Sequence, residues 1–65
     1  MHTYEVFVDI CECQSLADTS CRFLEERYRI SANSRNQAQY NALSRAEAAH
    51  PKATEYDVRV TRVLA

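Results

Sequence analysis

Three cysteines, two histidines and an arginine-rich set of charges are the residues of this chain whose types and spacing could carry chemistry. Cys11 and Cys13 are two apart, so on a strand both thiols leave on the same side. Cys21 comes eight residues after Cys13 and can join them across a hairpin. Zinc needs about four ligands. Only His2 and His50 could add imidazole, Glu12 points away while the strand persists, and paired C-x-x-C knuckles are absent. The trio therefore reads first as free or buried thiols. A Cys13–Cys21 cross-link on oxidation comes second, and a metal site at Cys11, Cys13 and Cys21 is a weak candidate beside it. No cofactor is expected.

Catalysis has little to work with. A nucleophile, a base and an orienting group must be held together. His2 lies at a terminus prone to fraying, and His50 lies at a helix end, where it complements the helix dipole. A chain without glycine cannot build a phosphate-cradling glycine loop. The expected protein is not an enzyme.

The arginines are the other unusual set. Seven arginines stand against a single lysine, Lys52. Arginine suits interfaces because its planar fork pairs with carboxylates and tolerates desolvation. A plain solvated surface is the competing explanation.

What positions these groups follows from patterning. Sixty-five residues, 46% hydrophobic and 26% charged, make one globular domain over residues 1–65. A core this small is marginal, and such chains often lean on a metal, a disulfide or self-association. The net charge of −1 argues against bulk polyanion binding. No apolar run approaches the roughly 20 residues that cross a bilayer, so a cytoplasmic protein is expected.

Alternation predicts strands over 3–11, 21–32 and 56–64, and helical spacing predicts a helix over 35–49. Ser34 is the expected N-cap, with Gln37 completing a capping box. Ala38, Ala42, Ala46, Ala49 and Leu43 form the apolar stripe, and Pro51 ends the helix. Gln14–Thr19 is a polar connection, with Ser15 and Asp18 as turn formers. Pairing residues that sum to 34 sets Val6 opposite Tyr28, Tyr4 opposite Ile30, Ile10 opposite Leu24 and Cys13 opposite Cys21. It also sets Glu5 against Arg29, an opposite-charge pair. The weak point of that register is Glu26, turned towards the core beside Val8, which a bulge or an edge position would relieve.

The strand–helix–strand unit from Tyr28 to Val63 is a crossover that leaves its two strands parallel. With the hydrophobic first strand in the middle, the chain becomes an α+β fold. It is a two-layer ββαβ sandwich whose three-stranded, mainly antiparallel sheet has order 2-1-3 and one helix on one face. The inner face takes Tyr4, Val6, Val8, Ile10, Leu24, Tyr28, Ile30, Tyr56, Val58 and Val60. The uncovered face takes Phe7, Cys11, Phe23, Arg27, Arg29, Arg59 and Val63, with Glu5, Asp9, Glu25 and Asp57. Both phenylalanines of the chain lie there, so this face is the candidate surface for a protein partner or for a homodimer. Chance exposure, or cover by the Gln14–Thr19 loop, is the bland alternative. Tyr40 and Arg35, with Asn36, Gln39 and Arg45, add a polar contact surface on the helix flank.

The run Arg29-Ile30-Ser31-Ala32-Asn33-Ser34-Arg35-Asn36-Gln37-Ala38, then alanines, then Tyr56-Asp57-Val58-Arg59-Val60-Thr61-Arg62-Val63, resembles small phage and prophage proteins. Type I anti-CRISPR inhibitors with a short sheet backed by one helix look similar. The resemblance covers about residues 26 to 64. It implies a non-enzymatic inhibitor or adaptor that occupies the surface of a host protein, such as a CRISPR effector subunit. No binding residue is carried over by motif. The alternative is a small dimeric nucleic-acid- or nucleotide-binding regulator that uses the arginine and aromatic sheet face.

Overall fold

The computed structural model describes residues 1–13 and 21–65. The connection expected at Gln14–Thr19, with its turn formers and its possible cover of the sheet, lies outside the described residues. Strands β1 (His2–Cys13) and β2 (Cys21–Ala32) are followed by helix α1 (Arg35–Ala49) and strand β3 (Glu55–Val63). β1 is longer than the alternation implied at both ends, because its pairing with β2 runs on to His2 and Cys13; β2 has the expected bounds, and β3 begins and ends one residue earlier than expected. The sheet has the order β2-β1-β3, with β1 antiparallel to both neighbours. This is the expected ββαβ arrangement.

β1 is central because it is the most apolar strand. Its inward side chains Val6 and Val8 are fully buried and Ile10 nearly so. α1 lies over them and contributes Ala38, Ala42 and Ala46, all without solvent exposure. Alanine has no side chain beyond Cβ, so the helix backbone can approach the sheet closely. Ala49, expected on the stripe, is exposed, since α1 ends there and the sheet no longer lies beneath it. Leu24, Tyr28, Tyr56, Val58 and Val60 pack round the rim of the core.

Local signals fix the ends of α1. Ser34 Oγ accepts from the Gln37 N–H at 3.1 Å. The Gln37 side chain does not close a capping box on Ser34. Its Oε1 accepts from the N–H of Asn33, one residue earlier, at 2.9 Å. At the other end the His50 N–H bonds back to Ala46 O, and Tyr56 Oη donates to the His50 carbonyl.

The pairing of β1 with β2 follows the sum of 34 from His2↔Ala32 to Cys13↔Cys21 without a bulge. Glu26 is tolerated on the inner face because β2 is an edge strand. Its carboxylate is half-exposed and lies 3.2 Å from His50 Nε2. His50 therefore has a carboxylate partner in addition to its place at the helix end.

The pairing of β1 with β3 does contain a bulge. Val6 pairs with Val60, yet Glu5 pairs with Arg62, which leaves Thr61 as the extra residue. Beyond it the faces exchange. Val63, expected on the uncovered face, stands opposite Tyr4 in the inner column, and Arg62 joins the outer column opposite Glu5.

Candidate functional site

The uncovered face of the sheet is ordered in rows, because the registers set one residue of each strand side by side. From β2 through β1 to β3, the row nearest the hairpin tip is Phe23, Cys11, Glu55. Next comes Glu25, Asp9, Asp57, then Arg27, Phe7, Arg59, then Arg29, Glu5, Arg62. Charge is thus divided along the strands, with acids towards the tip and arginines towards the other end.

The arginine end centres on Glu5. It is only 6% exposed, although it lies on the face without a helix. Its cover comes from its partners. Thr61 Oγ1 lies 2.8 Å from Oε1, Arg62 Nε donates to Oε1 at 3.2 Å, and Arg27 Nε lies 3.5 Å from Oε2. The Thr61 hydrogen bond is the largest influence on this carboxyl and holds it below its ordinary value. Burial pushes the other way, and Arg62 and Arg27 add to the lowering. Arg29, the expected partner, is Glu5's register neighbour but forms no ion pair among the described residues. The bulge brings Thr61 and Arg62 to the carboxylate first.

In the row towards the tip, Asp9 has a carboxylate directly across from it on both sides, Glu25 and Asp57. Like charges so placed repel. Arg59 offsets part of this, with Nη2 3.0 Å from Asp9 and 3.4 Å from Glu25. Asp57 and Glu55 have no ion pair among the described residues. One arginine against four acids leaves an excess of negative charge beside Phe23.

The two phenylalanines behave differently. Phe7 is partly covered between Arg27 and Arg59, whereas Phe23 is 78% exposed. An open groove of about 440 Å³ runs past Phe23 and is lined also by Cys11, Asp9, Glu25, Glu55 and Asp57. Of the other candidate contact residues, Tyr40 is 70% exposed on the flank of α1. Arg35 donates to Val60 O at 3.1 Å and so ties α1 to β3. These two are not continuous with the rows of the uncovered face.

The cysteines converge at the tip. Cys13 and Cys21 form a disulfide, where free thiols had been the first expectation. The register explains this: the two are directly opposed with Cα atoms 4.4 Å apart, the close spacing of a pair without mutual backbone hydrogen bonds. Cys11 keeps a free thiol, 3.9 Å from Cys13 Sγ.

Sequence reasoning missed Thr61 and Arg62. The signal was present, since Thr61-Arg62 sets two polar residues in succession in a strand that otherwise alternates, and such a break marks a bulge. Among the described residues no helix is long and apolar enough to cross a membrane. No protein-family model, curated protein or solved structure matches this chain.

Proposed function

We propose that the protein is a non-enzymatic binder that covers a surface of another protein with the uncovered face of its sheet. The observation that carries this reading is Phe23, a large aromatic side chain left mostly exposed beside a row of opposed carboxylates. Burial of an aromatic anchor is a common source of interface energy. Opposed carboxylates gain most from a basic group brought by a partner. The matching partner surface is an apolar socket next to lysine or arginine. In its narrower form the proposal is an inhibitor or adaptor of phage or mobile-element type, acting in the host cytoplasm on a host protein such as a CRISPR effector subunit. That form rests on the resemblance of residues 26–64.

The same geometry supports a protein partner over nucleic acid. Arg27, Arg59 and Arg62 each lie within 3.5 Å of a carboxylate, Arg27 and Arg62 sharing that of Glu5, so three arginines of this face already have a carboxylate partner. Phosphate binding would have to compete with those contacts.

The test is capture of a partner from host lysate after nuclease treatment, comparing wild type with Phe23→Ser and Tyr40→Ser. Phe23→Ser is expected to weaken capture at least about tenfold, as loss of an interface anchor does. Tyr40→Ser is expected to leave capture intact. Both side chains are exposed, so neither change should alter thermal stability measurably. Equal capture by wild type and Phe23→Ser, or loss of capture on nuclease treatment, overturns the proposal.

A further inference from the structure

All three cysteines of the chain meet at one point. Their sulfur atoms lie within 4.8 Å of one another, and each residue is partly open to solvent. Three features of the fold bring this about. The odd-numbered positions of β1 send Cys11 and Cys13 to the uncovered face, and the unbroken register sets Cys21 opposite Cys13. Thr54, just before β3, then pins Cys11, since both its N–H and its Oγ1 donate to the Cys11 carbonyl, at 2.8 and 3.0 Å.

We propose that, once the Cys13–Cys21 disulfide is reduced, these three thiolates form a trigonal site for a soft, thiophilic d10 cation, of which cuprous ion is the type. Geometry supports three-coordination. A metal–sulfur bond of about 2.3 Å in a planar trigonal arrangement sets sulfurs about 4.0 Å apart. Cys11 and Cys13 already lie at 3.9 Å. Only the bonded pair, Cys13 and Cys21, has to separate, which side-chain rotation can supply once the bond is broken. No imidazole or carboxylate completes the cluster among the described residues, so the donor set is sulfur only. All-thiolate sets favour soft ions. The excess of carboxylates at Asp9, Glu25, Glu55 and Asp57, lining the groove beside Cys11, favours approach of a cation.

The disulfide and the ion compete for the same sulfurs. A thiol reductant supplies two electrons and two protons, the Cys13–Cys21 bond opens to two thiols, and the reductant leaves as its own disulfide. Cuprous ion then displaces the protons of three thiols and is held by three thiolates, with net release of three protons. Exchange with a small-molecule disulfide reverses this: it accepts the two electrons and leaves as two thiols, the Cys13–Cys21 bond re-forms, two of the three ligands are lost and the ion is released. The site is therefore gated by redox state.

The test uses the full chain. Reduced protein, freed of reductant without oxygen, is titrated with cuprous ion against a chromogenic competing chelator. The expected result is one ion per chain for the reduced protein and none for the oxidised protein. Reduced Cys11→Ser is expected to bind at least about 100-fold more weakly, the upper range seen when even an outer partner of a metal site is lost. Cys11→Ser keeps the Cys13–Cys21 pair, so its fold can be checked by circular dichroism in the oxidised state. Alkylation of the reduced wild type provides a readout without mutation, with all three thiols protected when the ion is bound. Equal binding by Cys11→Ser, equal binding by oxidised protein, or modification of Cys11 in the loaded protein overturns the proposal.

Discussion

Reduction of the Cys13–Cys21 disulfide should destabilise the fold by an amount that follows from its place in the chain. The bond spans eight residues. Closing a loop of that length removes about 8 cal/mol/K of chain entropy from the unfolded state, or about 2.5 kcal/mol at room temperature. At about 0.05–0.15 kcal/mol per residue, a domain of this length has about 3–10 kcal/mol of stability in all. The bond would then supply between a quarter and most of it. A domain this small unfolds in urea with a slope near about 1 kcal/mol/M, so reduction should move the midpoint down by about 2.5 M. The assay is urea unfolding followed by circular dichroism, with and without a phosphine reductant. A shift below about 0.5 M at unchanged slope would refute the reasoning, because the bond would then constrain little that the β1–β2 ladder does not already hold. Cuprous ion at about 100 times its dissociation constant should return about 2.7 kcal/mol to the reduced protein, close to what the disulfide supplied.

Two further outcomes follow from the sheet and the helix. The Glu5 carboxyl is held below its ordinary value of 4.5, so the unfolded chain takes up its proton first as pH falls. The stability it contributes is present above that value and is lost as pH drops below it towards the lowered folded value. Glu5→Gln should flatten this part of the acid-unfolding curve, and an unchanged curve would remove Glu5 from the explanation. Ala42→Leu places a large side chain where α1 meets the sheet with no free surface, and should cost about 1–3 kcal/mol by overpacking. Thermal unfolding measures it, and a neutral result would mean that α1 does not pack closely on the sheet.

The architecture was legible in the sequence because its signals are local and repeat. Tyr4, Val6, Val8 and Ile10 alternate, Ser34 caps, Ala38, Ala42 and Ala46 recur at helical spacing, and a hairpin register of 34 pairs apolar with apolar. Any slip by one residue would have turned the whole apolar set of β1 to solvent, so patterning alone was sufficient. The candidate surface was only partly legible. Which residues share the uncovered face follows from parity, and parity holds only as far as Val60.

Beyond Val60 tertiary structure decided the outcome. The bulge at Thr61 exchanged Val63 for Arg62, because a buried Glu5 gains a threonine hydroxyl and a guanidinium where strict alternation would have offered one neighbour. It also decided that Glu5 turns to Arg62, which the bulge sets opposite it, and to Arg27, its diagonal neighbour on β2, and not to Arg29 directly across. The cysteines divide in the same way. Their spacing put Cys11 and Cys13 on one side and Cys21 opposite. Only the three-dimensional pairing brought two sulfurs into a bond and left the third beside them, because sulfur chemistry depends on distances of a few ångströms that a sequence does not encode.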